Sequence, residues 1–257
     1  MRRYVEVCLI AVALNAHKKY PFILIANRDE FYERPTMPAH YWEDVPGLLG
    51  GRDLKAMGTW LGVTTKGKIA ALTNYREPGE EPKNHSRGDL TADYLRQNQT
   101  AEAYLKTVQQ KKEQYNGFNL LAGDFNTLYY YSNKQNQISR MESGIHAVSN
   151  HLLNTNWPKV AMLKEELTHY IREENELDQE RLFEMLSHVD PAPDHLLPET
   201  GVPIEWERML SPIFISSENY GTRAQTIITV TRDGQVTFTE RSGKHKENTY
   251  QFILNEE

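Results

Sequence analysis

Short apolar runs closed by clusters of turn residues set the rhythm of the chain's first half. From Cys8 to Leu14 the residues are apolar and partly β-branched, "NAHKKY" supplies a turn, and "PFILIA" is apolar again. That pattern predicts two antiparallel strands of a buried sheet, the second ending in the polar quartet Asn27, Arg28, Asp29 and Glu30. The same grammar recurs in "TWLGVTT", "KGKIAALTNY", "GFNLLAGD" and "TLYYYSN", joined by Lys-Gly, Asp-Phe-Asn and similar turn chemistry.

Helical spacing follows residue 87 in "GDLTADYLRQ" and "TAEAYLKTVQQKKEQY". A clearer pair begins at Trp157, where Pro158 suits a first helical turn and Val160, Leu163, Leu167, Tyr170 and Ile171 share a face. In "DQERLFEMLSHV" the apolar stripe is Leu182, Phe183, Leu186 and Val189, and the prolines of "DPAPDHLLPETGVP" then impose an irregular segment. "AQTIITVTRDGQVTFTER" alternates around an Asp-Gly turn, the strongest short-range hairpin signal, and "TYQFIL" adds a last strand. Hairpins in place of alternating βαβ units describe an α+β protein whose antiparallel sheets are covered by helices.

Composition narrows the function classes. The 257 residues are enough for one large domain, and 39% hydrophobic with 25% charged residues is ordinary for a globular chain. No window is long and apolar enough for an integral membrane segment. A net charge of −6 without clustered basic residues gives no footing for nucleic acid. The single cysteine, Cys8, forms no internal disulfide, which fits a cytoplasmic location. No phosphate-cradling loop, dinucleotide fingerprint or His/Cys ligand spacing is present, so neither a cofactor nor a metal is expected.

The candidate chemistry starts with a register argument. If the first two strands pair as a hairpin, the start of one, at Cys8, lies beside the end of the other, at Arg28 and Asp29. A guanidinium there favours the thiolate, the form of cysteine that attacks. Asp29 is placed to hold the cysteine's own amine or to orient Arg28. The bland alternatives are a buried packing thiol and a solvated turn. Asn74, Asn150 and Arg223 each stand at the boundary of an apolar run, and asparagine amides suit a tetrahedral oxyanion. His85 and Ser86 in "NHSRGDL" are weaker pocket candidates, a solvated loop being the plainer reading.

The blocks "CLIAVAL", "ILIANRDEFYERPT", "GGRDLKAMGTWLGVTTKGKIAALTNYREP", "SRGDL", "YNGFNLLAGD", "AVSNHLLNTNWPK", "YGTRAQTIITV" and "VTFTERS", in that order, resemble the NRDE family. Its eukaryotic members include the transport-and-Golgi-organisation proteins. The family is in turn similar to N-terminal-nucleophile hydrolases of the penicillin V acylase and choloylglycine hydrolase group. The resemblance implies a four-layer αββα sandwich of two antiparallel sheets flanked by helices. It carries the nucleophile to Cys8, the arginine and aspartate to Arg28 and Asp29, two asparagines to Asn74 and Asn150, and a late arginine to Arg223. The implied activity is hydrolysis of a non-peptide C–N amide bond in a small-molecule amide or acyl substrate, with the cysteine's α-amine as general base.

That mechanism needs a free amine, and Cys8 is not terminal. Residues 1–7 are therefore expected to be a leader: a propeptide cleaved by Cys8, or a misassigned start. Val7 directly precedes Cys8, and a GUG codon means valine internally but methionine at a bacterial start; the misassigned start is preferred, since members of the family the chain resembles usually lack a leader. Residues 8–257 then form a single domain. The competing function is a non-enzymatic haem- or lipid-handling carrier on the same fold. Oligomeric state is not legible.

Overall fold

The computed structural model describes residues 8–243 and 246–254. The leader expected over residues 1–7 lies outside the described residues. Two antiparallel sheets stack face to face. The first contains β1 (Cys8–Leu14), β2 (Phe22–Phe31), β10 (Gly144–Val148), β11 (Tyr220–Val230), β12 (Gln235–Ser242) and β13 (Lys246–Ile253). Their order is β10-β1-β2-β11-β12-β13. The second is a meander in chain order: β3 (Thr36–Tyr41), β4 (Leu48–Asp53), β5 (Leu61–Thr64), β6 (Lys68–Asn74), β7 (Phe118–Asp124), β8 (Leu128–Ser132) and β9 (Gln137–Arg140).

Strand alternation divides the apolar side chains among three layers of core. Ile10, Val12, Leu24 and Ile228 of the first sheet meet Leu61, Val63, Ala71 and Leu121 of the second in the central layer. The opposite face of the first sheet, with Leu9, Ala11, Ile23 and Ile25, packs under α3 (Pro158–Glu173) and α4 (Gln179–Met185). The outer face of the second sheet, with Ala70, Leu72 and Leu120, packs under α1 (Arg87–Arg96) and α2 (Ala101–Gln110). This is the αββα sandwich of an α+β protein, as the sequence predicts.

Several elements differ from the sequence pattern. The fourth helix stops at Met185, and Val189 is 59% exposed; Met185 takes its place among the buried side chains. A fifth helix, α5 (Ile204–Leu210), follows the proline-rich segment. Most consequential, β2 does not end at the polar quartet. Pairing with β1 and β11 carries it through Asn27, Arg28, Asp29 and Glu30, all buried.

Candidate functional site

Cys8 lies directly opposite Arg28 in the β1–β2 register. Both share the parity of the residues that face the second sheet, so thiol and guanidinium enter the space between the sheets at its open end. A cavity of about 470 Å³ opens there, lined among others by Cys8, Arg28, Trp60, Asn74, Ser86 and Arg87. His85 also lines it, at an exposed position.

Arg28 is held from several directions. Its guanidinium stacks 4.1 Å from the Trp60 ring centroid, and Nη1 donates to Thr36 Oγ1 at 3.2 Å. Nη2 lies 3.8 Å from Glu30 Oε2 and 3.7 Å from Asp53 Oδ2. Gly51 makes the Trp60 position possible: a Cβ on residue 51 would come within 2.1 Å of the indole. Arg34 Nε hydrogen-bonds Asp53 Oδ2 and lies 3.4 Å from Glu30 Oε2, completing a four-charge cluster. Burial acts to raise the Asp53 carboxyl, but Arg34 and the Ala56 N–H outweigh it and leave Asp53 below its ordinary value.

The thiol itself is not activated in this chain. Burial pushes Cys8 up to about 12 and nearby Asp29 adds to the rise; Arg28 and the Asp29 peptide N–H act the other way and lose. The expectation that the guanidinium favours the thiolate is right in sign and too small in size. Charge from another source is needed at neutral pH.

Asp29 lies on the opposite face of β2, toward the helices, with Asn27, whose Nδ2 donates to the Leu186 and Ile213 carbonyls. Thr222 Oγ1, directly across on β11, donates to Asp29 Oδ1 at 2.5 Å, while Oδ2 is buried with no hydrogen-bond partner among the described residues. Burial raises Asp29 to about 6; Lys159, Thr222 and Arg28 limit the rise. Lys159 has no counterpart among the residues singled out from sequence. It is 4% exposed in the first turn of α3, with Nζ donating to the Leu210 carbonyl at 2.9 Å.

The remaining sequence candidates fall in different places. Asn74, the last residue of β6, lines the cavity. Asn150 is buried beside it and donates from Nδ2 to the Asn74 carbonyl at 2.9 Å, so it fixes the end of β6. Ser149 Oγ donates to the Cys8 carbonyl at 2.8 Å and ties this segment to β1. Arg223 stands inside β11, at a register shift between Thr222 and Ala224, not at a strand boundary. Its Nη1 donates to the Phe31 carbonyl at 3.1 Å and to the Arg34 carbonyl, and it lines an adjoining cavity of about 480 Å³ that shares the Arg28–Trp60 wall.

The profile of the Transport and Golgi organisation 2 family matches residues 7–245. The chain belongs to that family. The Transport and Golgi organization 2 homolog of Mus musculus is 36% identical over 91% of this chain and 93% of the relative. The Homo sapiens homolog is 35% identical over the same shares. Among solved structures, a cysteine-to-alanine mutant of conjugated bile acid hydrolase from Clostridium perfringens matches 98% of this family member and 93% of the hydrolase with a TM-score of 0.50 at 9% identity. The likeness is one of fold, and it is the N-terminal-nucleophile hydrolase fold expected from the sequence blocks. Among the described residues no helix is long and apolar enough to cross a membrane, and no group of three or more His, Cys, Asp or Glu is placed to hold a metal.

Glu240, on β12, gives a pH test of the inter-sheet packing around Arg28. It is 1% exposed, and Oε1 accepts the Ala39 N–H at 2.7 Å. Burial raises it to about 7. A carboxyl raised on folding binds its proton more tightly in the native state, so its contribution is full below the ordinary carboxylate range and lost as pH rises through about 7. Glu240→Gln is therefore expected to exceed the parent in stability by about 2–3 kcal/mol at pH 8 and to match it near pH 4, measured by urea unfolding at both.

Proposed function

We propose that the protein is a cysteine N-terminal-nucleophile amidohydrolase acting on a non-peptide C–N amide once the α-amine of Cys8 is free. One observation carries this: the first residue of β1 is the only cysteine, set in register with Arg28 at the mouth of a 470 Å³ cavity. The likeness in fold to conjugated bile acid hydrolase, in the form of a cysteine-to-alanine mutant, supports it. The amine accepts the Sγ proton, and the thiolate attacks the carbonyl carbon. The oxyanion is stabilised by donors at the end of β6, where Asn74 lines the cavity and Asn150 holds its backbone. The Cys8 ammonium then gives its proton to the departing amine as the C–N bond breaks, leaving a thioester. Water, deprotonated by the same amine, releases the acid and restores the thiol. Arg223 acts at a distance by fixing the Phe31 and Arg34 carbonyls behind Arg28. A cytoplasmic location is part of the proposal.

A chain released to begin at Cys8 contains every described strand and helix. Such a chain, incubated with N-acyl amino acids, β-lactams and bile-salt conjugates, is expected to show an acyl adduct on the Cys8 peptide by mass spectrometry and release of the amine. Absence of both across the panel, combined with a haem or lipid complex formed by the same protein, would establish the carrier function instead.

A further inference from the structure

The cavity beside Cys8 does not end the space between the sheets. Cys8 pairs with Arg28, Arg28 with Ala224, Ala224 with Ser242 and Ser242 with Lys246, so that β1, β2, β11, β12 and β13 each contribute one residue to a single cross-strand row. At the usual strand spacing the row runs roughly 19 Å. Cys8 lines the first cavity and Ala224, Ser242 and Lys246 line the second, while Arg28 and Trp60 are the residues common to both. The two cavities are therefore one trough with a wall across it.

We propose that Trp60 is a specificity-determining residue: seated on Arg28, its indole closes the trough next to the thiol, so that the amide taken at Cys8 carries a compact group on that side and long alkyl chains are excluded. The inference rests on the amidohydrolase function and names the substrate class of that site. The wall is firmly held. The Arg28 guanidinium lies over the indole, 4.1 Å from its centroid. The six-membered edge of the indole rests on the bare backbone of Gly51, where a Cβ would come within 2.1 Å. The Trp60 carbonyl accepts the Leu72 N–H of β6 at 2.8 Å, which fixes the peptide as well. Arg28 is tied in turn, with Nη1 on Thr36 Oγ1 at 3.2 Å and Nη2 between Glu30 and Asp53. With its edge on Gly51 and its face on Arg28, the ring is confined in two directions, and a chain lying along the row meets it one strand from the thiol. Beyond the wall the floor falls to Ala224 and Ser242, side chains small enough to leave a space of about 480 Å³. One side chain thus separates the nucleophile from a second cavity as large as its own.

The test uses the full chain and a set of iodoacetamides whose nitrogen carries a methyl, butyl, octyl or dodecyl chain. Cys8 Sγ displaces iodide from each, and the labelled Cys8 peptide is quantified by mass spectrometry. The octyl-to-methyl rate ratio, divided by the same ratio for the chain unfolded in urea, cancels any change in thiol reactivity and reads access alone. In the parent this ratio is expected to lie well below one. Trp60→Ala is expected to raise it about tenfold or more, the discrimination that a few methylenes in a confined pocket supply. Trp60→Phe, which keeps a ring on Arg28 and withdraws only the edge against Gly51, is expected to raise it less, and it replaces the alanine variant if that one does not fold. Ala224→Leu is expected to leave the parent ratio unchanged and, by refilling the second cavity, to cancel the gain in Trp60→Ala. A generally loosened site would keep its gain whatever stands at 224. An unchanged ratio in the folded Trp60 variant, or a gain that persists with Ala224→Leu, would overturn the inference. Labelling needs no turnover, so failure to hydrolyse any amide would refute the enzyme function while Trp60 is still judged on its ratio.

Discussion

The Arg76→Met variant is expected to lose about 3–5 kcal/mol of stability. Arg76 leaves the end of β6 and meets Glu207 of α5 at 2.6 Å, with the two side chains only 4% and 3% exposed. Glu207 also accepts the Thr200 N–H at 3.2 Å and the Thr200 hydroxyl at 2.5 Å. The guanidinium lies 4.9 Å from the Trp157 ring centroid, at the start of α3. Methionine fills similar volume but strands a carboxylate under α5 with Thr200 as its donor. The cost is therefore mainly that of a buried uncompensated charge, not of lost packing. One consequence distinguishes this cause from a packing defect. Arg76→Met combined with Glu207→Leu is expected to recover most of the loss, since no charge remains to desolvate. Urea unfolding of the parent, both single variants and the double variant measures the coupling directly. Equal losses in single and double variants would show that the pair is incidental to the docking of α5.

The sequence is most informative where a side-chain period is long and uninterrupted. The β1–β2 hairpin and its register follow from two apolar runs around one turn, and with them the neighbourhood of Cys8 and Arg28. The polar quartet shows the limit of that logic. Four consecutive polar residues ordinarily mark a solvated loop. Here the flanking strands β1 and β11 supply ladder partners through the whole quartet, and the side chains find charge partners, Thr222 or, for Asn27, the Leu186 and Ile213 carbonyls. Strands β3 and β4 escape notice because Pro38 interrupts one and the Gly50–Gly51 pair the other; Gly50 and Gly51 are required by close approach to the Leu61 carbonyl and to Trp60. Helix α5 is hidden behind prolines.

The site residues divide in the same way. Cys8, Arg28 and Asp29 belong to the adjacent strands β1 and β2, and their relative placement is a matter of counting; Asn74, on β6, meets them only through the stacking of the second sheet on the first. Asn150 and Arg223 depend on how loops and a register shift seat them against other elements, which no local pattern encodes. Lys159 is the extreme case. A lysine after Pro158 in a first helical turn reads as a solvated surface residue, whereas here it is buried with its ammonium on the Leu210 carbonyl.

A single glycine placed ahead of Cys8 in the released chain is expected to reduce kcat about 10²–10⁴-fold, the range general-base catalysis commonly supplies. Burial pushes the thiol up to about 12, so the proposed reaction depends on a base within reach of sulfur. A terminal amine, with a reference pKa of about 7.7–8.0, serves; an amide nitrogen does not. The two chains are also expected to differ in pH dependence. The free-amine form levels off once its amine is deprotonated, whereas the blocked form gains rate steadily toward high pH as its own thiolate fraction grows. Cys8→Ala, which removes the nucleophile altogether, is expected to fall to the background of the assay at every pH. Undiminished turnover in the glycine-extended chain would mean that sulfur loses its proton to another group, and the role assigned to the Cys8 amine would have to be abandoned.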